Sequence, residues 1–208
     1  MASPPDATTP ARPKRLTGEQ RRERFLDVAS ELIAERGLAA VTMERVCERS
    51  EVNRALVYRY FANRDELLTA LVTRETERFD AVVAARLDGA TTTEERLRAM
   101  IGAYVDEVQL GHLVISRMLA SAQDVGPVFT AWRDVRLIGG MQFLAETILI
   151  DFNLSLPRRI TAAAILGAAI EGVLGLTQTG ADRDHLVDDF VDLCLGGLAR
   201  MTEREQQA

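Results

Sequence analysis

From Thr17 onward, apolar residues recur three and four positions apart, the spacing that lines one face of an α-helix. Phe25, Val28, Ala29, Leu32 and Ile33 form the first such stripe, and Thr17 with Gln20 reads as a capping box ahead of it. Gly37 marks its end. Thr42 caps a short second helix that turns Met43, Val46 and Cys47 inward, and Asn53 caps a third of barely two turns. Asn63, followed by Asp65 and Glu66, opens a fourth helix through Leu67, Leu68, Leu71, Val72, Phe79, Val82 and Val83. Beyond Gly89 the pattern predicts helices near 92–109, 111–122, 127–151, 157–179 and 183–204. Thr92, Pro127, and Ser155 with Pro157 mark three of their starts. No stretch alternates with period two and no repeat is visible. The expected fold is all-α, with about nine helices: an N-terminal three-helix unit, then a larger bundle.

Composition divides the chain further. Residues 1–15 hold four of the six prolines and no apolar period, so they read as a disordered basic arm. Its Arg12, Lys14 and Arg15 either touch a phosphate backbone or stay solvated. This arm has no apolar run of the kind a secretory leader carries. Residues 16–72 and 73–208 are read as the two domains. The formal charge of −6 hides an asymmetry: residues 1–64 carry 12 Lys+Arg against 9 Asp+Glu, and the remainder 13 against 22. A basic head on an acidic body points to a polyanion partner at one end. The longest apolar run, Ile160–Leu176, is interrupted by Glu171 and falls short of the ~20 residues of a membrane span. It reads as a buried helix, with no membrane partner. Cys47 and Cys194 are too few and too far apart for a disulfide framework or a zinc site, which fits a reducing cytoplasm.

The stretch Thr42–Leu68 carries the chemistry. Two short helices joined tightly over Arg49–Val52 form a helix-turn-helix, whose second helix can enter a DNA major groove. Its polar face offers Asn53, Arg54, Tyr58 and Arg59, with Leu56 and Val57 for apolar contacts. An arginine near that helix's start has the fork geometry to read guanine O6 and N7. Tyr58 and Tyr60 are read as phosphate contacts, Phe61 as packing, and Thr42 as a cap that also meets a phosphate. Arg45 and Arg49 are read as solvated.

These residues resemble the tetracycline-repressor (TetR) family of bacterial transcriptional regulators. The likeness rests on Gly37, Thr42, Val46–Cys47, the run Val52–Asn53–Arg54–Ala55–Leu56–Val57–Tyr58–Arg59–Tyr60–Phe61, and Asn63–Arg64–Asp65–Glu66–Leu67–Leu68. Arg24, Ala29 and Leu32 extend it upstream, so it covers roughly residues 20–72. It implies DNA contacts from Thr42, Asn53, Arg54, Ala55, Val57, Tyr58, Arg59, Tyr60 and Arg64. Two positions depart from the family pattern. Glu51 stands where glycine is usual, so a turn that keeps positive φ there costs on the order of 1 kcal/mol. Arg64 stands where lysine is usual; both are cations, and a phosphate-anchoring role survives the change.

The resemblance also implies a ligand pocket in the C-terminal bundle and a dimer through the last two long helices. Met100, Tyr104, Met118, Trp132, Gln142, Phe143 and Glu146 are the pocket candidates, an adaptable apolar set with a few polar groups. Ala168, Gly172, Gly175, Phe190, Cys194 and Leu198 are the candidates for the dimer interface. The only histidines, His112 and His185, lie on different expected helices, and no phosphate loop or nucleophile motif occurs. No catalysis, metal or cofactor is expected. The reading is a cytoplasmic, nucleoid-associated homodimer that binds a palindromic operator and is released by a small apolar or amphipathic effector. A helical protein–protein adaptor and a small helical enzyme are the alternatives, separable by salt-dependent duplex binding and by turnover.

Overall fold

The computed structural model describes residues 16–111, 113, 118, 126–177 and 179–207. These residues are helical throughout, with no strand among them. In α1 (Gly18–Arg36) the Thr17 hydroxyl accepts from the Gln20 amide at 3.1 Å, and the Gln20 side chain accepts from the Thr17 amide at 3.0 Å. Gly37, at φ 78°, closes that helix. A single 3₁₀ turn, Leu38–Ala40, leads to α2 (Met43–Arg49), α3 (Arg54–Tyr58) and α4 (Arg64–Leu87). The body follows as α5 (Thr93–Gln109), α6 (Pro127–Phe143), α7 (Leu156–Thr177) and α8 (Arg183–Gln206). The expected arm of residues 1–15 and most of the helix expected at 111–122 lie outside the described residues.

The helix expected over 127–151 is broken. After Phe143 it widens into a π-helical turn, Leu144–Ile148, whose extra residue re-aims the positions beyond it. Leu144, Ala145, Ile148 and Leu149 all reach the core as a result.

Two hydrophobic clusters hold the chain together. The first gathers Phe25, Ile33, Val46, Val57, Phe61 and Leu67 around α1–α3 and the start of α4. The second gathers Phe79, Leu97, Ile101, Ile148, Ala163 and Phe190 in the body. Helix α4 passes through both, so no linker separates them; the clusters change over between Val72 and Phe79 on one continuous helix. A clamp ties α1 to α4, where the largely buried Arg74 guanidinium meets Glu75 and Asp27 at 2.8 Å and Glu23 at 3.1 Å. In the body, Asp106 accepts from Arg183 at 2.7 Å and Arg86 at 2.6 Å. Those hydrogen bonds, Arg183's first, hold its carboxyl below the usual aspartate range despite partial burial.

Phe129 belongs to the first cluster although it lies on α6, and it is fully buried there. Beside it, the Asp65 carboxylate accepts from the Val128 amide at 3.0 Å, so the head caps the N-terminus of a body helix. At this approach a Cβ on Gly126 would stand 2.3 Å from the Asp65 carboxylate, which would have to move.

Helix α7 corrects the expectation of a buried helix. Its most apolar stretch has a mean hydropathy of 1.8 but is only 24% buried. By length and composition it is the one described helix that could cross a membrane. One face is nevertheless locked into the body's core by Ala162, Ala163, Leu166 and Ile170.

Candidate nucleic-acid interface and effector cavity

The turn between α2 and α3 is a Schellman motif. The Val52 amide donates to the Cys47 carbonyl and the Glu51 amide to the Glu48 carbonyl, each at 3.2 Å. The residue at the turn must then be left-handed, and Glu51 is at φ 56°, the only described non-glycine residue with positive φ. The turn thus keeps its geometry without glycine. Asn53 starts α3 next, its side-chain oxygen accepting from the Leu56 amide at 2.9 Å.

This frame decides which side chains α3 presents. Arg54, Ala55, Tyr58 and Arg59 are exposed, Tyr58 at 40%. Val57 is fully buried in the first cluster, which corrects its assignment as a DNA contact: on a five-residue helix the face that anchors it cannot also read a groove. Arg54 does not hang free. Its guanidinium donates to Glu44 of α2 at 2.6 Å, reaches the Tyr58 hydroxyl at 3.4 Å and lies 5.7 Å from that ring's centre. Glu44 was not legible as a functional residue, because it lies ten positions from Arg54 and only the folded turn brings the two together.

Tyr60 is half-buried, its ring edge-on to Phe25 at 5.6 Å. Burial opposes its ionisation, but hydrogen bonds from Arg59 and Arg21 outweigh this and hold its pKa below the ordinary phenol value. A tyrosine hydroxyl flanked by two cations suits a phosphate oxygen. Thr42 accepts from the Arg45 amide at 3.2 Å and stays partly accessible beside the turn. Arg64 is employed structurally. Its guanidinium donates to the Val41 carbonyl at 2.8 Å and the Leu38 carbonyl at 3.1 Å, tying α4 to the strand-like link before α2. Arg49 is exposed, as read, and on that surface it pairs with Glu31 and Glu35 of α1; its hydrogen bond to Glu35 sets the direction of both groups' pKa shifts.

The body holds a cavity of about 1180 Å³ walled by α4, α5, α6 and α7. Met100, Tyr104, Met118, Trp132 and Phe143 line it as expected. Gln142 and Glu146 do not; both are exposed, turned away by the helix register and the π-helical turn. The polar part of the wall is instead Asp80, Arg133, Arg136 and Glu171, with Thr76 and Tyr104. The four charges cancel and come from three helices, so no sequence window displays them together. Trp132 both lines the cavity and packs on the head's cluster, next to Phe129 at 5.6 Å between ring centres.

On the outer face, Ala168, Gly172 and Gly175 are exposed, with open space around both glycines. Ile165 (61%) and Leu193 (74%) extend this face. Cys194 is half-buried. Phe190 and Leu198 are buried in their own bundle, correcting their assignment to an interface: α8 spends that side of its stripe on the core. Among the described residues no group of histidine, cysteine and acidic side chains is placed to hold a metal.

Residues 25–71 match the family model described as bacterial regulatory proteins, tetR family. The HTH-type transcriptional activator FasR of Mycolicibacterium smegmatis is 31% identical over 193 residues, covering 91% of this chain and 88% of that protein. The HTH-type transcriptional repressor KstR of the same organism is 33% identical over 99 residues, 48% of each chain. The fold is similar to a TetR-like transcriptional regulator from Rhodococcus sp. RHA1, with a TM-score of 0.70 at 24% identity, covering 89% of this chain and 99% of that one.

Proposed function

The chain belongs to the tetR family of bacterial regulatory proteins, whose members are DNA-binding transcriptional regulators and not enzymes, and from this premise we propose that it is a homodimeric repressor released from a palindromic operator by a ligand. The observation that carries this reading is the preassembled reading helix. The turn is closed, α3 is capped, and Arg54 is already held by Glu44 beside Tyr58. A reading helix fixed in place in this way loses little conformational freedom on binding DNA. Arg54 reads a base edge, while Tyr58, Arg59 and Tyr60, with Thr42, set the register on phosphates. The cytoplasm is where such a protein meets its operator.

The exposed face of α7 and α8 supports the dimer. Small residues at Ala168, Gly172 and Gly175 allow close helix approach, and Ile165 and Leu193 supply apolar surface to bury. A two-fold pair also presents two copies of α3, which one short helix needs for selective binding. The effector enters the cavity, pushes on α6 at Trp132, and strains the seat of Phe129 and Val128 in the head.

Footprinting of the purified protein on the region upstream of its own gene tests the reading. The expected result is a protected palindrome at micromolar or tighter affinity that is lost with Arg54→Ala. Equal loss on operator and random DNA would remove Arg54 from base reading. Gly172→Leu is expected to shift sedimentation to monomer or aggregate. A Gly172→Leu dimer that binds normally would place the interface elsewhere.

A further inference from the structure

The cavity's wall is mostly apolar, and its ionisable side chains are already balanced. Arg136 of α6 donates to Asp80 of α4, Arg133 is itself engaged, and Glu171 brings the formal charge of the wall to zero. An ion entering the cavity would lose its hydration to a wall of zero net formal charge, and an anion would meet two arginines that are already engaged. The volume leaves room for a drug-sized ligand.

Tyr104 is the one phenol among the described residues of this wall. It packs its ring on Phe79, with centres 4.3 Å apart, and its hydroxyl feels the charges of Arg136, Asp80 and Glu171. That hydroxyl hydrogen-bonds to no described group, while the open part of the residue lines the cavity. Burial pushes its pKa up to about 12, with Asp80 and Glu171 adding to the rise and Arg136 opposing it. The phenol therefore stays protonated and offers a hydrogen-bond donor. A donor on a mostly apolar wall, bonded to no described group, pairs with an acceptor carried by the ligand.

We propose that the effector is an uncharged, largely apolar molecule carrying an acceptor oxygen, a ketone, ester or ether, that receives the Tyr104 hydroxyl. This rests on the reading of the cavity as the effector site. Specificity then comes from one hydrogen bond, and a hydrocarbon of the same shape binds more weakly. A carboxylate of the same length finds no free cation.

Displacement of the neutral fluorophore N-phenyl-1-naphthylamine from the full chain tests this, using methyl undecyl ketone, tridecane, tridecanoate and tridecylammonium. The ketone is expected to displace the probe at the lowest concentration. Tyr104→Phe should weaken the ketone about five- to tenfold and leave tridecane unchanged. The variant should fold at least as well as the parent, since it deletes an unpartnered polar group. An equal effect on ketone and hydrocarbon, no effect on either, or tighter binding of either ion overturns the proposal. Gly140→Leu separates the two readings, because Gly140 lines the cavity with open space where its Cβ would go. If the probe fails to bind, or binds Gly140→Leu as well as the parent, the cavity is not the effector site and the proposal falls with that reading. If Gly140→Leu abolishes binding but Tyr104→Phe does not discriminate, only the acceptor-oxygen assignment fails.

Discussion

Glu51 sits in a backbone conformation that a Cβ resists, and the cost can be measured by changing that residue alone. At φ 56° it occupies the turn position of the Schellman motif, where left-handed backbone costs an L-residue roughly 1–2 kcal/mol. Glycine has no such cost but brings more unfolded-state freedom, worth roughly 0.5–1 kcal/mol the other way. The net gain expected for Glu51→Gly over Glu51→Ala is therefore about 0.5–1 kcal/mol. Both variants remove the same carboxylate, so their difference isolates the backbone. For a chain of this size that gain raises the melting temperature by roughly 1–4 °C. Thermal and urea unfolding at one fixed protein concentration give the measurement, because a dimer's stability depends on concentration. Glu51→Asn should fall between the two, as asparagine tolerates this region. Operator affinity should be equal for the Gly and Ala variants, since the turn's shape is kept. A Gly variant that melts at or below the Ala variant would falsify the left-handed turn.

Four further outcomes follow from particular contacts. Glu44→Gln frees Arg54 from its carboxylate partner; operator and random DNA should both be bound more tightly, with a smaller ratio between them, and an unchanged ratio in a binding titration would make the pair incidental. Arg64→Ala leaves the Leu38 and Val41 carbonyls without their donor and should destabilise the protein by about 1–3 kcal/mol in urea; a fully stable variant with weakened DNA binding would return Arg64 to the phosphate backbone. Asp106→Asn should cost about 1–2 kcal/mol at neutral pH. Because the folded carboxyl is held below its ordinary value, that contribution is present above the unfolded aspartate pKa of about 4 and fades as pH falls through the lower folded value, so parent and variant should converge in acid unfolding curves. Gly126→Ala should push Asp65 off the α6 N-terminus and make operator binding insensitive to ligand; a normal ligand response in electrophoretic mobility shifts would exclude this contact from the coupling.

Much of the head is written in short-range chemistry. Thr17 with Gln20, Thr42, Asn53 and Asn63 each cap a helix through an amide three residues on, so side chain and backbone partner sit in one short window. The turn at Glu51 belongs to the same class, since its hydrogen bonds close within five residues. The resemblance to a known family was legible there for the same reason. What lay beyond the sequence is the choice of partner for each apolar or charged face. A stripe on α8 announces burial but does not divide itself: Phe190 and Leu198 went to the bundle's own core, while Leu193 stayed outside. Val57 likewise reads as an apolar groove contact until α1 and α4 close over it. Phe129 enters a core that begins a hundred residues earlier, and Asp65 caps a helix 63 positions away. The cavity's balanced charges come from three helices and meet only when those helices pack. Local hydrogen bonds and the 3.6-residue period decide where helices begin and end; which of their faces meet depends on the energy of packing distant segments together, and that energy exists only in the folded chain.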